Sequence, residues 1–282
     1  MNNLLLLNIG FLELNANWNW KEIYSPFARF YYVKAGNAVT YIHGKKYALE
    51  PGYLYLTPPF SLHSDECNDY FSLYYIHFYE NISNKESIFD RFDFPVKVQA
   101  SLLDLQLIER LHVLNPNRCL TNIDPKIYDN PITMSQTAAY NSVLPQHVLI
   151  ETQGALSILM SRFFEFKTVK SFNNDARINK SLQYIHSHIN SDISVGELAA
   201  VACVSDDHFI RIFKKEMHTT PVKYINIKKI EKARLLLLTT DLSIRNIAMD
   251  LSIDNISYFN KIFKQHTGKT PMEYRNTKTR DT

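Results

Sequence analysis

The sequence predicts an α+β chain of two domains. An N-terminal antiparallel β-barrel or sandwich followed by two helices precedes an all-α domain with two helix-turn-helix motifs. Three observations predict this. Short apolar and aromatic segments separated by turn residues fill residues 26–80. Helical spacing takes over from residue 101. The last hundred residues then contain one helical unit twice.

The β reading rests on Phe30-Tyr-Tyr-Val33, Val39-Thr-Tyr-Ile42, Tyr53-Leu-Tyr-Leu56 and the run Phe71 to Phe78. Turn signals divide them at Ala35-Gly-Asn37, His43-Gly-Lys45, Glu50-Pro-Gly52 and Thr57-Pro-Pro-Phe60. Residues 101–114 place Leu102, Leu105, Ile108 and Leu111 or His112 on one helical face. Pro116, Pro125, Pro131 and Pro145, with many Asn and Thr, make residues 115–145 an expected irregular excursion. Helical spacing resumes with Leu149, Thr152, Leu156, Leu159, Phe163 and Phe166. These two helices either cap the barrel or pair with a second copy. The expected domains are 1–168 and 177–282, joined by a polar linker at 169–176.

The repeat is the most informative part. Asp192-Ile-Ser-Val, Phe209-Ile-Arg-Ile-Phe213-Lys and Thr220-Pro-Val-Lys-Tyr224 recur as Asp241-Leu-Ser-Ile, Phe259-Asn-Lys-Ile-Phe263-Lys and Thr270-Pro-Met-Glu-Tyr274. The offset is 49 residues in the first half and 50 in the second, so the second turn has one extra residue. Ser194 with Glu197 predicts a capping box, and Ser205 and Asp254 are the expected caps of the two second helices. Between the copies, Val222 to Thr239 has neither Pro nor Gly. Such a helix is about 27 Å long, a rigid spacer somewhat shorter than one turn of B-DNA.

Charge divides along the same line. Residues 176–282 hold 17 Lys/Arg and 11 Asp/Glu, while residues 1–175 hold 14 and 17. A basic half fits phosphate binding. Cys67, Cys119 and Cys203 are scattered, which argues against a disulfide framework or zinc cluster and fits a reducing cytoplasm. Leu4 to Leu7 has no basic flank and is interrupted by Asn8, so neither a signal peptide nor a membrane span is expected.

Residues 178–275 resemble the DNA-binding domain of the AraC/XylS family of bacterial transcription regulators. The resemblance is carried by Leu198-Ala199 ahead of Ser205, by Phe209-Ile-Arg-Ile-Phe-Lys214, and by Ile230-Glu-Lys-Ala-Arg-Leu-Leu236. Ile247-Ala248, Ser257-Tyr-Phe-Asn-Lys-Ile-Phe-Lys264 and Thr270-Pro-Met-Glu-Tyr-Arg275 complete it. Ser252 stands where the family usually has glycine, and Met217-His218 replaces a common Thr-Gly. Phe209, Ile212, Phe213, Phe259, Ile262 and Phe263 are expected core. The outward residues Asp207, Ile210, Arg211, Ser257, Tyr258, Asn260 and Lys261 are the base-contact candidates, with Ser205, Lys214 and Lys264 for phosphate. The resemblance implies that the positions of Arg211 and Lys261, and those three and four residues earlier, reach base edges. Asp206 and Asp207 suit a helix N-terminus but repel phosphate.

The β half resembles the cupin-like effector domain of the same family, through Tyr32-Val33 before Gly36, His43-Gly-Lys45, Leu49-Glu-Pro-Gly52, Leu56-Thr-Pro-Pro59 with His63, and Tyr75-Ile-His-Phe78. This implies a small-molecule effector, with a sugar suited to aromatics and a few charges. Lys34, Asp65 and Tyr75 fall near family ligand positions; Arg29 and Tyr32 join them from strand alternation. His43, His63 and His77 lack the His-x-His spacing of a cupin metal site, so no metal or other cofactor is expected and no catalytic residue is assigned. Leu149, Leu156, Leu159 and Phe163 are the dimerisation candidates. The expected function is a cytoplasmic, ligand-responsive regulator or activator, a homodimer on double-stranded operator DNA in contact with RNA polymerase, serving a carbohydrate operon. The alternatives are a barrel that only dimerises and a cupin enzyme with a DNA-binding tail.

Overall fold

Side-chain alternation in the first eighty residues splits the N-terminal half into two sheets. The computed structural model describes residues 3–81, 87–170 and 175–276, which form two compact units. The first comprises residues up to 81 and 94–168; the second comprises the segment up to residue 93 that follows, together with residues from 169 onward.

The first unit begins with β1 (Asn3–Leu14), β2 (Asn19–Ile23), β3 (Ala28–Gly36), β4 (Ala38–Ile42), β5 (Lys45–Leu49), β6 (Tyr53–Thr57), β7 (His63–Glu66) and β8 (Phe71–Asn81). After α1 (Ile88–Arg91) and β9 (Phe92–Asp93), which belong to the second unit, come β10 (Lys97–Gln99) and α2 (Leu102–Leu114). The unit closes with α3 (Pro125–Tyr128), α4 (Pro131–Val143) and α5 (Gln146–Phe164). One sheet has the order β1-β8-β3-β6-β10 and the other β2-β7-β4-β5. The barrel-or-sandwich expectation resolves as a sandwich: two sheets, with no closed barrel among the described strands.

Register decides which face each residue serves. In β3, Arg29 lies opposite His77 and Thr57, and Tyr31 opposite Tyr75 and Tyr55. These odd positions share the face toward the second sheet, where Tyr31, Val33, Leu73 and Tyr75 pack with Trp18, Leu49 and Cys67. The even positions face helices: the Phe30 ring stacks on Phe78 at 4.5 Å and on Phe163 of α5 at 5.5 Å. Strand β3 is thus covered on both faces, which is why its sequence reads as a continuous apolar run. Gly10 of β1 is required by this packing, because a Cβ there would sit 2.4 Å from the Tyr75 hydroxyl oxygen.

Helix α5 buries Thr152, Leu156, Leu159 and Phe163 against the sheet. In α2, Ile108 and Leu111 turn inward as expected, but Leu102 is exposed. Here Ser101 and Asp104 form a capping box and Asp104 also accepts from Arg162 at 2.8 Å, so the first turn is held by polar contacts. The expected irregular stretch 115–145 instead contains α3 and α4. Asp124 caps α3 ahead of Pro125, and Asn130 caps α4 ahead of Pro131. Proline in the first helical turn costs no hydrogen bond, so an Asx-Pro pair starts a helix as readily as it ends one.

After β11 (Thr168–Val169), which pairs with β9 and ends where the second unit resumes, that unit adds α6 (Ala176–Ser187), α7 (Val195–Val201), α8 (Asp206–Met217) and α9 (Pro221–Thr239). Helices α10 (Ile244–Asp250), α11 (Ile256–Thr267) and α12 (Pro271–Arg275) complete it. Asp175, expected within the linker, caps α6, and α1 packs on α6. Part of the expected linker, residues 171–174, lies outside the described residues. There are two cores. Ile178, Leu182, Leu198, Phe209, Phe213 and Ile225 form one; Ile230, Leu237, Ile247, Phe259, Ile262 and Phe263 form the other. Helix α9 contributes to both.

The two helix-turn-helix turns share one geometry. Val204 N–H donates to Ala199 O at 3.0 Å, and Ile253 N–H to Ala248 O at 2.9 Å. Cys203 and Ser252 are left-handed at φ 55° and 49°, as this C-terminal motif demands. The extra residue of the second copy follows this turn. It moves the cap of α11 to Asn255, whose side chain accepts from Tyr258 N–H at 2.9 Å, so Asp254 is not the cap. His218, closing α8, is left-handed at φ 54°, where the second copy has Gly268 at φ 75°. A side chain in this region costs about 1–2 kcal/mol. His218→Gly is therefore expected to raise stability by about 1 kcal/mol in urea unfolding. Ser252→Gly should gain less, because the Ser252 hydroxyl donates to Asn190 O at 2.7 Å and that bond is lost.

Candidate nucleic-acid interface and effector-domain interior

Each recognition helix is held from behind by two phenylalanines one turn apart. Phe209 and Phe213 of α8, and Phe259 and Phe263 of α11, are fully buried. That anchors one face and leaves the opposite face to solvent. Asp207 and Arg211 on α8, and Ser257, Tyr258 and Lys261 on α11, are exposed; Ile210 and Asn260 are partly so. The predicted base-contact residues therefore share the outer faces of the two helices. Ser205 caps α8 without a side-chain capping bond, and Lys214 and Lys264 are exposed in the last turns.

Contacts not foreseen from sequence hold two of these side chains. Arg211 Nη2 approaches His208 Nδ1 at 2.9 Å, and Arg177 Nη1 lies 3.5 Å from the other nitrogen of that ring. Arg177 is itself paired with Asp175. An arginine only donates, so the short contact assigns the lone pair to Nδ1. On α11 the Tyr258 hydroxyl accepts from Asn226 of α9 at 2.8 Å.

The two helix-turn-helix units are stitched together at their turns. Lys229, in the middle of α9 and only 4% exposed, donates to Ser191 O at 3.0 Å and reaches Ser252 O at 3.5 Å. Burial lowers its pKa, opposed by Asp192 and Asp254. With the Ser252–Asn190 bond, these contacts tie the loop before α7 to the turn before α11. Sequence periodicity placed no polar residue there. Nearby, His186 gives its Nε2 to the Tyr224 hydroxyl at 2.9 Å, and burial drives its pKa down to about 4. It is neutral at pH 7, so its 3.4 Å contact with Asp90 is not an ion pair.

In the first unit, the five effector candidates divide. Arg29, Asp65 and Tyr75 point into the sandwich, whereas Tyr32 and Lys34 are on the helix side of β3 or exposed. Lys34 lies over the Phe11 ring at 5.2 Å. Strand alternation separates residues 29 and 31 from 32 and 34, so the structure does not bring all five together. It brings His63, His77, Tyr31, Tyr128 and Asp129 to Arg29 instead. Arg29 donates to Ser25, lies 3.8 Å from Asp129 and 4.4 Å above the Phe27 ring. His63 Nδ1 pairs with Ser61 O at 3.0 Å, so its Nε2 carries a lone pair. Arg29 Nε, His63 Nε2, Asp65 Oδ1 and His77 Nδ1 are buried with no partner among the described residues. Four such atoms in one interior make a polar chamber rather than an oily core. No three His, Cys, Asp or Glu side chains among the described residues come close enough to share a metal ion.

Of the dimerisation candidates, Leu156, Leu159 and Phe163 are fully buried inside the unit and Leu149 partly so. The apolar side chains that α2 and α5 leave exposed are Leu102, Leu103, Val113, Ile150 and Ile158. No helix among the described residues is long and apolar enough to cross a membrane.

A family model described as a helix-turn-helix domain matches residues 198–277. The chain is 33% identical over 102 residues to the regulatory protein PocR of Salmonella typhimurium, covering 36% of this chain and 34% of that protein. It is 26% identical over 191 residues to the xylose operon regulatory protein of Escherichia coli, covering 61% and 48%. Among solved structures, the C-terminal domain of AraT, a response regulator from Geobacillus stearothermophilus, is 30% identical over 38% of this chain and 88% of that one, with a TM-score of 0.35. Residues 198–277 therefore carry a helix-turn-helix domain similar to those of these regulators. The matches span about a third to a half of the length of these two curated relatives. The helices matched by the family model include the second helix of each helix-turn-helix unit, α8 and α11.

The sandwich interior predicts a pH response. Burial, reinforced by Arg29, lowers the pKa of His63 to about 3 and that of His77 well below its usual value. Both stay neutral when folded but take protons when unfolded below about pH 6.5, so their contribution is complete above that pH and lost as pH falls. Asp65 runs the other way. Burial raises its pKa to about 6, so its contribution is present below about pH 4 and lost as pH rises through 6. Two histidines outweigh one carboxyl. The melting midpoint of the first unit should fall between pH 7 and pH 5, with net stability lower by roughly 1–3 kcal/mol. His77→Gln should flatten the profile; an unchanged profile would contradict this account.

Proposed function

We propose that the chain is a ligand-responsive, sequence-specific transcription regulator that holds double-stranded DNA with α8 and α11. One observation carries this reading: a single helix, α9, enters both helix-turn-helix cores, and Lys229 with Ser252 ties their turns. Two recognition helices held this way address two stretches of major groove as one body. Arg211 suits bidentate contact to guanine and Lys261 a less selective one; Asp207 suits a cytosine amino group. Asn260, Ser257, Tyr258 and Ile210 complete the reading faces, and Ser205, Lys214 and Lys264 meet phosphates. The first unit senses a small polar effector, without a metal or other cofactor. Its buried, unpartnered polar atoms and the similarity to a xylose operon regulatory protein support a sugar and a carbohydrate operon. Cytoplasmic location, activation and contact with RNA polymerase follow from this role, and no enzymatic activity belongs to it.

Arg211→Ala and Lys261→Ala should each weaken specific binding by about 1–3 kcal/mol without unfolding the chain. Footprinting should show each variant relaxing preference in a different major groove, about one helical turn apart. If both relax the same base pairs, the two-groove reading fails. Binding should also weaken steeply with salt.

We further propose a homodimer through the exposed faces of α2 and α5. On α5, Ile150 and Ile158 lie two turns apart on one side, with Gly154 between them. Ile150→Glu with Ile158→Glu should yield monomers in sedimentation, whereas Leu156→Glu should unfold the unit instead, because Leu156 is core. An unchanged dimer in the double variant would rule this face out.

A further inference from the structure

None of the five effector candidates read from the sequence lines a cleft of about 600 Å³ in the first unit. The cleft is built by β1, the loop after α2, and helices α3 and α4. Its floor is Asn8, Tyr128 and Thr137, each at most 9% exposed. Its rim is Ile127, Tyr140 and Val143, which are 41%, 45% and 75% exposed.

The walls are fixed before any ligand arrives. The Arg118 guanidinium donates to Leu6 O and to Asn141 Oδ1, and Asn141 Nδ2 donates to Leu6 O at 2.9 Å. These bonds fasten the loop and α4 to β1 at its register shift between Leu6 and Asn8. A site held this way loses little ordering entropy on binding. The floor also leads inward. The Tyr128 ring packs on His77 at 5.2 Å, and the Arg29 guanidinium lies 6.0 Å from its centroid. A molecule pressing on Tyr128 therefore touches the lid of the buried polar chamber.

Lining chemistry selects the ligand. Among the described residues, no Asp, Glu, Lys, Arg or His lines the cleft. An anion or cation would give up hydration there without a countercharge. Amides and hydroxyls at the floor, with an aromatic and aliphatic rim, match a molecule with hydroxyls on its edge and C–H groups on its face. We propose that this cleft binds a neutral, hydroxyl-rich molecule, an unphosphorylated sugar, and is the effector site of the first unit. This rests on the reading of that unit as effector-responsive.

The test uses the full chain in calorimetry and thermal melting. One panel holds neutral pentoses and hexoses; the second holds the corresponding sugar phosphates and uronic acids. At least one neutral sugar should bind and raise the melting midpoint, and its charged counterparts should not. Ala139→Trp, at the exposed mouth, and Thr137→Val, which removes a floor hydroxyl at constant volume, should each lower affinity about tenfold or more. Lys34→Ala, on a different face, should leave it unchanged. Melting without ligand verifies that each variant is folded. Binding by charged sugars only, binding indifferent to both variants, or no binding by any neutral sugar overturns the proposal. Retardation of duplex DNA by the same preparation separates the two readings: if DNA binding holds while no neutral sugar binds, the cleft assignment falls and the regulator stands.

Discussion

The geometry of the second unit depends on one buried ammonium. Lys229 lies in the middle of α9, where one core ends at Ile225 and the next begins at Ile230. A short amphipathic helix pair alone would leave the two units hinged. Instead the lysine donates to a carbonyl of each unit, Ser191 O and Ser252 O. Burying a charge is unfavourable unless its donors are satisfied, so the lysine favours the arrangement in which both carbonyls are within reach. The helix provides length and direction, and the lysine fixes rotation. Phe209, Phe213, Phe259 and Phe263 then carry that orientation outward to the exposed faces of α8 and α11.

The first unit follows a different logic. Its aromatic core is ordinary, but Arg29, Asp65, His63 and His77 form a polar interior beside it. The four pKa directions there agree with one picture. Desolvation keeps the histidines neutral and raises the pKa of the Asp65 carboxyl to about 6, while Arg29, with Asp129 and two tyrosines beside it, keeps its charge. Such an interior contributes little to stability and suits recognition, because unpartnered donors and acceptors gain from a polar neighbour. Helices α3 and α4 stand outside this chamber, and Tyr128 connects the two regions.

Much of the outer face of α8 and α11 was legible in the sequence because a helix repeats every 3.6 residues. Once Phe209 and Phe213 are assigned inward, Arg211 must point outward, and the duplication confirms the assignment at Phe259, Phe263 and Lys261. The effector side was less legible. In β3, period-two alternation separates Arg29 from Tyr32 and Lys34, but a strand covered on both faces hides its phase. The same holds for the helices: the stripe Leu156, Leu159, Phe163 is identical whether it meets its own sheet or a second copy. Only the Phe30–Phe163 stacking decides that it is core.

Local physical chemistry was enough to determine the helix-turn-helix units, their capping box at Ser194 and Glu197, and the rigid spacer. Each depends on residues within one or two turns of each other. The sheet order, the cap at Asn255, the reversal of Asx-Pro pairs from breakers to helix starts, and the neutral cleft were decided by the tertiary structure. Those features depend on which distant segments supply a surface to pack on. Strand register is set by partners such as Arg29 and His77, far apart in the chain. Lys229 shows the difference most directly: in sequence it is one more cation on a basic helix, and in the fold it is the buried donor that two separate loops share.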